Sequence, residues 1–129
     1  MGGDQAVIVA GIGFSTGASA EEIVALVRRA EGEAGRKAEA LAAPAFKGEA
    51  AALHEAAQAL RLPLRLLDRE TLAAAQERCP TPSPVAERIV GLASVAEACA
   101  LASAGETSHL LVARLTQGKV TCALAGELP

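Results

Sequence analysis

Residues Ala6 to Ala10, AVIVA, form a continuous apolar run that passes into a glycine cluster, GIGFSTG, and then into a serine followed three residues later by a glutamate. A run apolar at every position, rather than at alternate ones, fits a strand covered on both faces, the condition of strands in a mostly parallel sheet. Gly11 to Ala18 then read as a loop. Ser19 and Glu22 stand at capping-box spacing, where each side chain satisfies a backbone N–H in the first turn of a helix. Strand, turn and helix in this order commit the chain to the α/β class.

Behind that cap, Ile23, Leu26, Val27, Ala30 and Ala34 recur on one face of a 3.6-residue period, and the helix is expected to end at Gly32 or Gly35. Glu39 to Ala43 read as a short strand closed by Pro44. Leu53, Ala56, Ala57 and Leu60 mark the inner face of a second helix, and Pro63 introduces a strand over Leu64 to Leu67. Asp68 is the expected N-cap of a third helix that turns Leu72 and Ala75 inward. CPTPSP, residues 79 to 84, cannot be regular structure, because its prolines remove donors and bias their neighbours to extended backbone. Ser83 and Pro84 then suit the cap and first residue of a short helix running to about Gly91. Ser94 and Glu97 make a second capping box, opening a helix that stops at Gly105.

The tail has a different character. His109 to Leu115 and Lys119 to Ala125 are both strand-like and are joined only by Thr116, Gln117 and Gly118, a link short enough to force an antiparallel hairpin. The expected architecture is a three-layer α/β/α sandwich with a mostly parallel sheet and a C-terminal antiparallel hairpin at or near one edge.

The 129 residues fit one domain, 1–129, with no room for a second. Half the residues are hydrophobic, yet Phe14 and Phe46 are the only aromatics and much of the remainder is alanine, so packing must come from close helix approach. A formal charge of −3 and the lack of clustered Lys and Arg argue against a nucleic-acid partner. No run approaches the ~20 apolar residues of a membrane span, and no signal-peptide pattern opens the chain, so the expectation is a soluble, cytoplasmic protein with no membrane partner. Cys79, Cys99 and Cys122 are widely spaced, with no C-x-x-C pair and no histidine at zinc-finger spacing. They read as reduced, structural thiols, and neither a metal site nor a cofactor is expected.

The glycine segment invites comparison with a nucleotide loop. A dinucleotide fingerprint needs G-x-G-x-x-G and an acid closing the next strand roughly twenty positions on. Gly11, Gly13 and Gly17 give G-x-G-x-x-x-G, and Glu31 and Glu33 fall within or at the end of the helix. No G-K-[ST] is present either. What survives is a helix start with free amides, together with the hydroxyls of Ser15 and Thr16, which suits a negative group. The plainer reading is that the glycines only permit a turn and Ser19 already satisfies the helix end. Lys47 and Glu49 flank Gly48 at a helix start, as a surface pair or as a lysine for a ligand carboxylate. His54 sits at the border of a helix face and His109 opens a strand, so both read as structural or solvated. No Ser-His-Asp pattern exists, no catalytic residue can be assigned, and nothing selects Glu21, Glu22 or Glu49 for acid–base work.

Three stretches in order, GIGFSTGASAEEI, AFKGEAAALHEAAQALRLPLRLL and TPSPVAERIVGLASVAEACAL, followed by the hairpin, together resemble the CobE family, which is similar to the C-terminal domain of CbiG. The resemblance covers nearly the whole chain. It implies a role in building the corrin ring of cobalamin, on the aerobic branch for CobE-like proteins, whereas CbiG opens a precorrin lactone on the anaerobic branch. The chain starts almost at its first strand, so the rest of a CbiG-type protein is not expected. Carried over by position, the family's glycine motif falls on Gly11 and Gly13, its Ala-Glu-Glu on Ala20 to Glu22, its loop lysine on Lys47 and its Ser-Val-Ala-Glu on Ser94 to Glu97. Many relatives carry cysteine and a basic residue where Phe14 and Ser15 stand, so no cysteine nucleophile is expected there.

A precorrin is a flat macrocycle fringed with carboxylates. The implied ligand is therefore a precorrin-type tetrapyrrole, gripped by Gly11, Gly13, Phe14, Ser15, Thr16, Lys47, Glu49 and the Ser83 loop, in an accessory or carrier module. The alternatives are a hydrolase or lyase on a precorrin lactone using Glu22 or Glu49, and an interaction module that meets other cobalamin-pathway enzymes. An alanine-rich helical surface also suits a homodimer.

Overall fold

Large and small apolar residues alternate along the strands of this chain, and that alternation decides where its helices lie. In the computed structural model, residues 8–15, 17–76, 95–105 and 107–126 are described. The elements are β1 (Val9–Phe14), α1 (Ala20–Ala34), β2 (Ala40–Pro44), a 3₁₀ turn (Ala45–Lys47), α2 (Ala51–Leu60), β3 (Leu64–Leu67), α3 (Arg69–Gln76), α4 (Val95–Ala104), β4 (His109–Gln117) and β5 (Val120–Gly126). The five strands make one sheet in the order β3-β2-β1-β5-β4. β1, β2 and β3 are parallel, and β5 runs antiparallel to both β1 and β4. The fold is the expected α/β arrangement, with the hairpin ending on an edge strand.

One face of the sheet presents Ala10, Ile12, Leu41, Cys122 and Leu124, which pack with Ile23, Leu26 and Val27 of α1 and Ala56 of α2. The other face is lined by Val9, Ala40 and Ala42, which meet Leu72 and Ala75 of α3 and Cys99 of α4, and by Ala123 and Ala125, which meet Ala96, Ala100 and Leu101 of α4. The bulky side chains fill the gap to two amphipathic helices, and the small ones let α4 settle almost on the backbone. α4 is accordingly apolar on nearly every side, with Ala96, Glu97, Ala98, Cys99 and Ala100 fully buried.

β1 does not end at Ala10. It continues to Phe14, with Gly11 and Gly13 buried in the strand and paired to Ala123 and Thr121 of β5. The loop is correspondingly shorter than expected, because these glycines serve packing rather than a turn. A Cβ on Gly11 would overlap the Ala96 carbonyl oxygen and lie 2.5 Å from the Ala100 nitrogen. A Cβ on Gly13 would sit 2.6 Å from Thr121 Oγ1, which donates to the Gly13 carbonyl. An antiparallel partner on one side of β1 and a helix across it extend the strand where local sequence suggests a break.

Local signals are otherwise closely followed. Ser19 caps α1 with both bonds of the capping box, and Gly35 closes that helix in the left-handed region at φ 69°. Asp68 Oδ1 accepts from the Thr71 N–H at 2.8 Å at the head of α3. The hairpin turn is tighter than expected. Gln117 pairs with Val120, leaving Gly118 and Lys119 as the turn, with Gly118 at φ 60°. Glu97, expected to face Ser94, places Oε2 3.0 Å from the Arg114 N–H, where β4 shifts register between Val112 and Leu115. Ser94, Cys79, the CPTPSP segment and the helix from Ser83 to Gly91 lie outside the described residues, as do Ala6 and Val7.

Candidate functional site

Three parallel strands end side by side, and their exits form one edge of the molecule. Phe14 pairs with Val120, so the hairpin turn sits at the carboxyl end of β1. Pro44 pairs with Leu67, so the segments that follow β2 and β3 emerge together. Crevices outside the carboxyl ends of strands are the usual ligand position in open α/β sheets.

Within this edge the Lys47 Nζ stands 5.0 Å from the centroid of the Phe14 ring. A cation at that distance over a ring face is held by the ring's quadrupole. Lys47 belongs to the 3₁₀ turn after β2, and the turn is braced from α2, because His54 Nε2 lies 2.6 Å from the Gly48 carbonyl oxygen. A carbonyl only accepts, so that nitrogen carries the proton. His54 is exposed and structural, as its position at the border of the helix face implies, and His109 opens β4. Lys119 supplies a second cation. Its Nζ lies 2.9 Å from where a Cβ on Gly17 would stand, and its carbonyl accepts from the Ser15 N–H at 3.0 Å.

The amides expected to cradle an anion are largely spent. Ser15 N–H donates to Lys119, Ala18 N–H to the Ser15 carbonyl at 3.2 Å, and Glu22 N–H to Ser19 Oγ at 3.1 Å. The cations of this edge are therefore lysine side chains rather than a helix start, and they stand among acids, with Glu22 Oε2 3.0 Å from where a Cβ on Gly118 would lie. Glu22, one of two carboxylates for the hydrolytic alternative, has Oε1 2.8 Å from the Ser19 N–H in the cap, while Oε2 faces the hairpin turn at Gly118. Glu49 is exposed, two residues after Lys47. Glu31, at the spacing of a ribose acid, accepts from the Ala38 N–H at 2.8 Å.

Of the residues named from sequence, the structure brings Phe14 and Lys47 into contact and places Ser15 at the same strand end. It puts Gly11 and Gly13 beneath α4 and β5, enclosed by protein. Thr16 and Ser83 lie outside the described residues. Sequence reasoning did not single out Lys119, because its neighbourhood depends on β5 pairing with β1, a contact between the two ends of the chain. A groove of about 600 Å³ runs between α3 and α4, lined by Glu70, Thr71, Ala75 and Leu101 among others, and contains none of the candidate ligand-binding residues. Among the described residues no group of three or more His, Cys, Asp or Glu is gathered to hold a metal ion, and no helix is long and apolar enough to cross a membrane.

Residues 8–125 match the family described as cobalamin synthesis G C-terminus. The chain is 34% identical over 122 residues to a protein CobE of Sinorhizobium sp., covering 92% of this chain and 79% of the relative. It superposes on the crystal structure of CobE, a protein from the cobalamin (vitamin B12) biosynthetic pathway, with a TM-score of 0.86 and 37% identity, over 95% of this chain and 92% of the other. The cobalamin biosynthesis protein chiG from Agrobacterium tumefaciens gives 0.76 and 35%, over 95% of this chain and the whole of that one.

Proposed function

Because this chain belongs to the CobE and CbiG C-terminal family of cobalamin-biosynthesis proteins, we propose that it binds a precorrin intermediate through the carboxylates of the macrocycle, as an accessory or carrier module of the aerobic pathway. The observation that carries this reading is the Lys47 ammonium poised 5.0 Å over the Phe14 ring at the carboxyl edge of the sheet. A tetrapyrrole intermediate offers both a flat apolar ring system and a fringe of acetate and propionate groups. A site for it needs cations set beside apolar surface, and Phe14, Ser15, Lys47 and Lys119 supply that combination, with Thr16, Glu49 and Ser83 as candidate neighbours.

The ligand's charge is met by ammonium groups, which make charge-assisted hydrogen bonds of roughly twice the strength of neutral ones. An open edge also suits a protein that must release its cargo to the next enzyme. For lactone opening, one oxygen of Glu22 is taken by the Ser19 N–H, and exposed Glu49 is the other carboxylate of that alternative.

Titrating the purified protein into cobyrinic acid, a stable polycarboxylate corrinoid, while following its visible absorption tests the reading. A saturable spectral shift is expected, weakened in Lys47→Gln. An unchanged spectrum at high micromolar protein would sink the proposal.

A further inference from the structure

The chain has two phenylalanines, and a cation lies over each ring. Lys47 covers Phe14, and the Arg69 guanidinium carbon lies 5.9 Å from the centroid of Phe46. The second pair follows from register: with Pro44 opposite Leu67, Phe46 and Arg69 each stand two residues beyond a paired position at the same end of the sheet. Phe46 is 52% exposed and Leu66 44%, and among the described residues these are the exposed large hydrophobics. Leu66 lies beside the turn that carries Phe46, its Cδ1 2.9 Å from where a Cβ on Gly48 would stand.

We propose that Phe46, Leu66 and Arg69 form an outer half of the ligand site, receiving the apolar face of the tetrapyrrole on Phe46 and Leu66 and one peripheral carboxylate on Arg69. The inference rests on the reading that this protein binds such a macrocycle. Phe46 and Lys47 are adjacent, so one short turn offers a ring to one part of the ligand and a cation to another. Lys47, Arg69 and Lys119 all stand at the strand exits of this edge, interspersed with Glu22, Glu49 and Asp68, so the match to a ligand is made by separate cations each meeting one carboxylate of a polyanion, charge-assisted pairing that a neutral apolar partner does not offer. Arginine's planar fork matches a carboxylate in two bonds, and its stacking on a ring holds that fork in place before the ligand arrives.

Dissociation constants for cobyrinic acid and for tricarballylate, a carboxylate cluster without a ring, are measured with wild type, Phe46→Ala, Phe46→Leu, Arg69→Gln and Lys47→Gln, with urea midpoints recorded for each. Phe46→Ala and Arg69→Gln are expected to weaken cobyrinic acid about tenfold and about fivefold, with Phe46→Leu intermediate and unfolding midpoints unchanged. Phe46→Ala leaves tricarballylate binding as in wild type. Wild-type affinity for cobyrinic acid in Phe46→Ala and Arg69→Gln, with Lys47→Gln still impaired, overturns this inference and leaves the parent reading standing. No binding by wild type overturns both. A dimer in sedimentation that Phe46→Ala dissociates without altering corrinoid affinity assigns the surface to a second copy and overturns the proposal.

Discussion

Gly11 of β1 and Ala96 of α4 pass so close that a methyl group on the glycine would overlap the Ala96 carbonyl oxygen. Neither backbone can yield, since Gly11 is paired on both sides, to Ala42 and to Ala123. Gly11→Ala is expected to cost about 3 kcal/mol, the upper part of the range for overpacking a core. Gly32→Ala, inside α1 with no atom within 4 Å of its new Cβ, is expected to stabilise by about 0.5–1 kcal/mol. Urea denaturation of the two variants beside wild type reads both signs, and equal effects would contradict the packing argument.

Phe14 and Lys47 are expected to be energetically coupled. A double-mutant cycle with Phe14→Leu and Lys47→Gln should give a coupling of about 0.5–1 kcal/mol in unfolding free energy, as found for cation and ring pairs near a surface. Additive effects would mean that the contact contributes nothing.

Cys122 is fully buried in β5, and burial, with the Glu31 charge as a lesser cause, pushes its thiol from 9.0 up to about 12. The folded state then keeps its proton while the unfolded state loses one, so this residue's contribution is complete below pH 9 and is lost as pH rises toward about 12. Native protein treated with iodoacetamide at pH 8 should show no alkylation of the Cys122 peptide by mass spectrometry, and denatured protein full alkylation. Cys122→Ser should lessen the alkaline fall in stability.

Asp68 is held below its ordinary carboxyl value of 3.8 by the Thr71 backbone N–H and then by the Thr71 side chain. A depressed folded value contributes stability above the unfolded value and loses it as pH falls through the folded one. Thermal unfolding of wild type and Asp68→Asn should therefore diverge above pH 4 and converge in stronger acid. Parallel curves over the whole range would remove Asp68 from the acid response.

Much of the fold is written in local signals. Ser19 with Glu22, Asp68 before Thr71, and Gly35 at φ 69° are short-range geometries, and each behaves as its residue type requires. What escapes a linear reading is set by partners far along the chain. Gly11 and Gly13 read as a turn because their close neighbours, Ala96 and Thr121, lie beyond residue 90. The same holds at the site. Lys47 is visible as a loop lysine, but its position over Phe14 depends on β1 lying beside β2, and Lys119 reaches Gly17 only through the antiparallel pairing of β5. Arg69 reads as an ordinary first residue of a helix until the Pro44 and Leu67 register brings it to Phe46.

The register shift in β4 has a bearing on how copies of this protein behave when crowded together. β4 is nine residues long and borders the sheet, so its outer side is a template on which a foreign strand could add. At the irregularity, buried Glu97 takes the Arg114 N–H at 3.0 Å, which anchors the deformation from beneath. A strand bent there offers an incoming chain no regular ladder, and bulges are among the means by which edges resist such growth. Through Glu97, a contact made inside the core sets the shape of the sheet's outermost strand.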